Sequence, residues 1–274
     1  MDFLTCCKLH GILIDSLPAT GVWKRYPTED HPHKRNGAVK FMGDHGFIQN
    51  HATETEVSLW KSDSPQDFDR MKLMRDVRAA EEQTARRQRE AAGKAAWILK
   101  QCRFGKHDYL KSKGFPEEEG NVWVNEGHQI LVIPMRMNST LLGCQLIDQY
   151  GVKKFLSGQK TAGAEFVFDN KGDHILCEGY ATALSVRMAL KSLKKRYTIH
   201  VCFSAGNMVK VASALGGGFV VADNDESGTG ERVAKQIGWS YWMSDQVGED
   251  ANDAHQRLGL FKFSQSLTRS IKLS

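Results

Sequence analysis

Val220, Val221 and Ala222 run straight into Asp223, Asn224, Asp225, Glu226, Ser227 and Gly228. A short apolar run of small and β-branched residues favours a buried strand. Two aspartates two positions apart follow it, and side chains at i and i+2 of an extended segment share a face. Asp223 and Asp225 therefore aim two carboxylates at one point just past a strand end. Like charges at that spacing repel, and a hard divalent cation relieves the repulsion. A second stretch has the same order. Ile175, Leu176 and Cys177 form an apolar run that ends on Glu178 and Gly179, and a helical pattern covers 181–195.

From residue 173 onward strand and helix patterns alternate. Strands are expected at 175–177, 199–203, 219–222 and 240–243, and helices at 181–195, 208–215, 229–238 and 251–258. Alternation of this length implies right-handed crossovers and a parallel sheet flanked by helices. Sites in such sheets lie beyond the carboxyl ends of the strands. Glu178, Asp223 and Asp225 fall there, as does Gly206 in the turn 204–207, which can approach a phosphate or simply close the turn. Asp250 is a fourth acid, in a position where capping the following helix is an equally good use for it. Oxygen donors alone favour Mg2+ or Mn2+, and no His or Cys stands at zinc spacing, so no zinc is expected.

Upstream, residues 1–64 suggest a small β-rich module, with strand patterns near 22–23, 38–41, 46–50 and 57–60 and turn signals at Asn36-Gly37 and Gly43-Asp44. At its start, residues 1–19 suggest a short helix or strand and a Pro-containing turn; Leu9, Ile12, Leu13 and Leu17 fit one helical face, a pattern that Gly11 weakens. Residues 65–104 form a long linker helix, starting after Ser64-Pro65, with a polar centre over 79–93. Residues 105–172 are β-rich and basic, with strands at 122–124, 129–134, 141–147, 154–156 and 165–168. Residues 173–260 are the alternating domain, and 261–274 is a basic tail expected to pack loosely. The fold class is mixed α/β.

The net charge of +5 suits a polyanionic partner without requiring one. Arg136, directly after a buried-looking strand, and Lys153, Lys154 and Lys160 stand just ahead of the acidic domain. Cys6, Cys7, Cys102, Cys144, Cys177 and Cys202 form no C-x-x-C pair and suggest reduced core residues of a cytoplasmic protein. The first seventeen residues lack the order of a leader, and no apolar run is long enough to span a membrane, so no membrane partner is expected.

Residues 108–252 resemble the catalytic core of the TOPRIM primases of plasmids and bacteriophages, relatives of the bacterial replicative primase. His107, Asp108, Tyr109 and Leu110 with Lys113-Gly114 are similar to its entry segment. Ile133-Pro134-Met135-Arg136 resembles the Ile-Pro-x-Arg strand, and Lys154-Phe155-Leu156-Ser157-Gly158 the Lys-Tyr-Leu-x-Gly turn. Glu178-Gly179 with Thr182-Ala183 looks like the glutamate motif, Ala222-Asp223-Asn224-Asp225 with Gly228 the Asp-x-Asp motif, and Asp250-Ala251-Asn252-Asp253 the later Asp-x-Asn-Asp element. Thr182 departs from the aspartate that many primases carry there, and neither a zinc module nor a Walker-type segment is visible.

The resemblance implies a Mg2+-dependent (or Mn2+-dependent) DNA primase, a nucleotidyltransferase that makes RNA primers on single-stranded DNA in the cytoplasm of a bacterial host. It implies Glu178, Asp223 and Asp225 as catalytic residues, the same three with Asp250 as metal ligands, and Arg136, Lys154 and Lys160 as contacts to ribonucleoside triphosphate or template. A separate replicative helicase or other replication protein is the partner it implies. The alternatives are a TOPRIM nuclease using similar acids, or a catalytically silent TOPRIM protein that binds nucleic acid or a replication or defence partner.

Overall fold

The computed structural model describes residues 1–63 and 70–270. The chain divides into two units, Met1–Arg87 and Gln88–Ser274. The expected helix start and module boundary at 64–66 lie outside the described residues.

The first unit opens with α1 (Phe3–Leu9), capped by Asp2, whose carboxylate accepts the Thr5 backbone N–H at 2.9 Å. β1 (Trp23–Tyr26), β2 (Gly37–Phe41), β3 (His45–Asn50) and β4 (Ser58–Lys61) follow as an antiparallel meander. Phe3, Cys7, Ile12, Ile14, Val39, Phe41, Ile48 and Trp60 make its core. The helical face expected from Leu9, Ile12, Leu13 and Leu17 does not form. The helix stops at Leu9, and Gly11 turns the chain with φ +67°. Beyond that turn burial alternates, so Ile12 and Ile14 point inward while Leu9, Leu13 and Leu17 stay exposed.

α2 (Arg70–Gln101) runs through the division between the units, which falls within its polar, exposed middle. In the second unit β5 (Arg103–Gly105), α3 (Asp108–Ser112), β6 (Gly120–Asn125), β7 (His128–Met137), β8 (Thr140–Asp148) and β9 (Lys153–Phe155) follow. The five strands form an antiparallel sheet in sequence order. Val132 and Cys144 on one face pack with Ala91, Ala95 and Ile98 of α2. Leu131, Ile133 and Ile147 on the other face join the main core.

The remaining elements are β10 (Phe166–Asp169), β11 (His174–Cys177), α4 (Tyr180–Ser192), β12 (Thr198–Val201), α5 (Ala205–Ala212), β13 (Phe219–Ala222), α6 (Thr229–Ile237), β14 (Ser240–Met243) and α7 (Ala251–Ser270). The second sheet has the order β10-β12-β11-β13-β14. β11, β12, β13 and β14 are parallel, as the alternation requires. The sheet is nevertheless mixed, because β10 runs antiparallel to β12. The short link from β10 to β11 reverses the chain, and β12 inserts between them after the crossover through α4. Both faces are covered. Ile175, Cys177, Val201 and Val221 pack in the core that includes α4 and α7, and Leu176, Val220 and Ala222 pack with α5 and α6. Burial on both sides explains why these strands are continuous apolar runs.

The segment 261–270 is not a loose tail. α7 breaks at Gly259 (φ +75°, ψ 161°) and resumes, and Phe263 and Leu267 are fully buried one turn apart. The Phe263 ring meets Trp242 edge-on at 5.5 Å. Residues 271–274 lie outside the described residues. Phe263→Ala should therefore lower the unfolding free energy by about 3–5 kcal/mol in urea titrations. A loss under about 1 kcal/mol would mean that this helix does not belong to the core.

Candidate active site

Glu178 is the first residue past β11 and Asp223 the first past β13. The two strands are parallel neighbours, with Cys177 opposite Val221, so both carboxylates emerge at the same sheet edge. Both side chains are half-buried. Asp223 Oδ1 is sealed from solvent and has no hydrogen-bond partner. Burial, the charge of Glu178 and then that of Asp250 push the Asp223 carboxyl up to about 8. Lys153 opposes that shift, and Asp225 adds to it. Burial likewise raises Glu178, again with Lys153 opposing and Asp225 and Asp250 adding.

Asp225 and Asp250 are held differently. Burial works to raise Asp225, but the Ser227 hydroxyl and the backbone N–H groups of Gly230 and Thr229 outweigh it and hold the carboxyl below its usual range. The two backbone bonds measure 2.9 and 3.1 Å, so Asp225 satisfies the open N-terminus of α6. That helix approaches the strand end closely: a Cβ at Gly230 would lie 2.0 Å from the Asp223 carbonyl oxygen. Asp250 does the same for α7, its Oδ1 accepting the N–H groups of Asn252 at 2.7 Å and Asp253 at 2.9 Å.

Asn224, between the two aspartates, brings Asp250 to the site. Its side chain donates to the Ser244 carbonyl at 3.0 Å, its N–H donates to the Glu249 carbonyl at 3.0 Å, and its carbonyl accepts from Gly248. Glu249 is fixed in turn by the Ser244 hydroxyl at 2.6 Å and by Arg257 at 2.7 Å. The loop before α7 is thus stitched to the loop after β13. In the sequence only its position between two acids points to Asn224.

The basic residues separate by strand register. Lys153 pairs with Ile147, whose side chain lies in the main core, and its positive charge acts on both Glu178 and Asp223. Lys154, one residue on, pairs with Leu146 and takes the opposite face. There it lines a pocket of about 330 Å³ with His128, Ile130, Asp148 and Tyr150. Arg136 is exposed at a bulge following Met135, and its guanidinium donates to the Ser139 carbonyl at 3.0 Å. Lys160 is half-buried in the loop between β9 and β10. Thr182 is buried in the first turn of α4. In the turn 204–207, Ser204 caps α5 and Asn207 clasps the carbonyls of Ala164 and Cys202 at 2.7 and 2.8 Å. A side chain at Gly206 would meet nothing within 4 Å.

The donor set is all oxygen, one buried carboxylate oxygen is orphaned, and like charges raise each other, which together fit a hard divalent cation. Among the described residues, no three acidic, His or Cys side chains already stand as a cage. The oxygens of Asp225 that would complete one are turned to α6.

No family model matches the chain, and no curated protein matches it. A solved structure does: a chain of the assembly described as bacteriophage T7 lagging-strand DNA polymerase interacting with primase domains of two gp4 subunits bound to an RNA/DNA hybrid and dTTP. The TM-score is 0.44 at 15% identity, over 62% of this chain and 91% of that one. A likeness of that degree assigns neither a fold family nor an activity.

The raised carboxyl of Asp223 has a consequence for stability. The folded state holds this proton more tightly than the unfolded state, so stability falls as pH rises from 3.8 to about 8. In metal-free buffer Asp223→Asn should be more stable than the parent at pH 8, by roughly 1–3 kcal/mol after allowance for screening. The difference should vanish toward pH 4. Urea unfolding at both pH values with EDTA present is the measurement, and equal stabilities at pH 8 would contradict the electrostatic account.

Proposed function

We propose that this chain is a Mg2+-dependent primase of the TOPRIM type, which joins ribonucleotides on a single-stranded DNA template. The observation that supports it most is the pair of half-buried carboxylates, Glu178 and Asp223, at the carboxyl ends of neighbouring parallel strands, with the Lys153 charge acting on both. A divalent cation bound by Glu178, Asp223 and Asp225, with Asp250 in support, would supply charge neutralisation to the phosphates and to the attacking and leaving oxygens. Glu178 would act in catalysis beside the cation, accepting the proton of an attacking hydroxyl. Lys153 would hold a triphosphate beside the acids, a role its charge on Glu178 and Asp223 supports. Arg136, Lys154 and Lys160 remain candidates for contact with nucleotide or template, with Lys154 and the pocket beside Tyr150 offering the strand a second face. A replicative helicase is the partner class this activity would need. Among the described residues no helix is long and apolar enough to cross a membrane.

The test is incorporation of labelled ribonucleotides on single-stranded DNA with Mg2+ or Mn2+. Asp223→Ala and Glu178→Ala should each reduce product by about a hundredfold or more. Lys153→Ala should reduce it more than Lys154→Ala, because the two lysines face opposite sides of the sheet. Folded protein that makes no product on any template would overturn the proposal. Cleavage of the template without incorporation would identify a nuclease instead.

A further inference from the structure

The meander β1–β4 of the first unit divides its aromatic residues between two faces. Phe41 and Trp60 point inward with Val39 and Ile48, and the Phe3 ring lies 5.1 Å from Phe41 and 5.3 Å from Trp60. The opposite face carries a row that crosses all four strands. It runs Trp23, Lys40, Phe47, Leu59, each the register partner of the next. Arg25 stands two residues beyond Trp23, and the paired His45 and Lys61 stand two residues beyond Phe47 and Leu59, so all three share that face.

Trp23 is 48% exposed and Leu59 54%, whereas Trp60, the neighbour of Leu59, is 8% exposed. Phe47 is half-buried, with its ring 6.2 Å from that of Trp23 and Lys40 between them in the row. Grouped large apolar side chains left in water mark a contact surface. The charge of the face is one-sided. The ion pairs within residues 1–63 are Met1 with Asp63, His10 with Glu54, His31 with Asp30 and His45 with Asp44. Among the described residues no carboxylate pairs with Arg25, Lys40 or Lys61; the Arg25 guanidinium donates to the Asn36 carbonyl at 3.4 Å. A hollow of about 610 Å³ lies beside the row, lined by Asp44, His45, Phe47, Leu59 and Lys61. The Asp44 carboxylate there is held by His45 Nδ1 at 2.6 Å.

Rings interleaved with uncompensated cations suit a ligand that offers flat apolar faces and regularly spaced anions. A single strand of nucleic acid offers both, whereas a duplex hides its base faces within the stack. A second copy of the chain is a poor fit, because a two-fold contact would set Arg25, Lys40 and Lys61 against themselves.

We propose that the outer face of β1–β4 is a docking platform for single-stranded DNA, on which bases stack against Trp23 and Phe47 while Arg25, Lys40 and Lys61 take the phosphates. The choice of a single strand rests on the face alone. The choice of DNA rests on the template-directed activity proposed above.

The experiment is fluorescence anisotropy of labelled oligothymidylate with the full chain, in EDTA so that no cation joins the acids to the strand. Trp23→Ala should keep the parent's urea midpoint and bind about tenfold more weakly or worse, and Trp23→Phe should recover much of the loss. Lys40→Ala and Lys61→Ala should each flatten the slope of log affinity against log salt by about 0.7. Lys24→Ala should change neither quantity, because Lys24 pairs with Val39 on the other face and lies over the Tyr26 ring. The platform is overturned if the parent binds no single strand, if Trp23→Ala binds as the parent does, or if Lys24→Ala costs as much as Lys40→Ala. Tighter binding of the duplex or of oligouridylate would overturn the choice of strand, and a dimer abolished by Trp23→Ala would make the face a contact between copies. Face-specific binding by a chain that makes no primer leaves the platform standing and the proposed activity fallen. Primer synthesis by a chain whose binding ignores Trp23 does the reverse.

Discussion

The repulsion between Glu178 and Asp223 at adjacent strand ends is the constraint around which the second unit is arranged. Burial raises the proton affinity of both half-buried carboxylates, and the Glu178 charge adds to the shift of Asp223. A fold tolerates that only if the surrounding groups are fixed rather than adaptable. The strands beneath are apolar on both faces and cannot shift without opening the core. Gly230 lets α6 come against the Asp223 backbone where a side chain would collide. Lys153 supplies the opposing charge from a different sheet, and the antiparallel sheet and the mixed sheet share one core. The strain at the acids and the rigidity around them are parts of one arrangement, and such strain marks functional sites.

The sequence made the strand ends legible for a simple reason. Runs such as Ile175–Cys177 and Phe219–Ala222 have no polar face, and a run that is buried on both sides and ends in an acid gives away both its burial and its end. Register was not legible in the same way. Lys153 and Lys154 are adjacent, and only the pairing of β9 with β8 decides which one turns to the acids. The composition of the segment carries no information on that point. Asn224 was hidden for a different reason: its bonds go to Ser244 and Glu249, far along the chain, and a loop-to-loop clasp leaves no periodicity.

Two further misreadings share a cause. Leu9, Ile12, Leu13 and Leu17 fit a helical spacing, and 261–274 is a weakly basic stretch expected to pack loosely. In both places a glycine with positive φ changes the chain's direction or phase. Gly11 converts a period of 3.6 into alternation, and Gly259 resets the face of α7 so that Phe263 and Leu267 point inward. A hydrophobic pattern read across such a glycine joins two elements that have different inward faces.

Asp225 shows how the sequence motif and the folded geometry can both be right. The spacing of two residues would set Asp223 and Asp225 side by side in an extended segment, but the chain turns at Gly228 into α6 and the helix N-terminus takes the Asp225 oxygens. A side-chain cap is worth about 1 kcal/mol. Relieving the raised Asp223 carboxyl is worth roughly 1–3 kcal/mol after screening, so the two effects are of comparable size. Asp225 is held by a side-chain cap, which can be given up without moving a strand. Glu178 and Asp223 sit directly at strand ends and have no such freedom, and the Asp250 cap is backed by the buried bonds of Asn252 to Lys113 and Ser185. In this arrangement Glu178 and Asp223 stand directly at strand ends, while Asp225 and Asp250 each spend oxygens on a helix N-terminus.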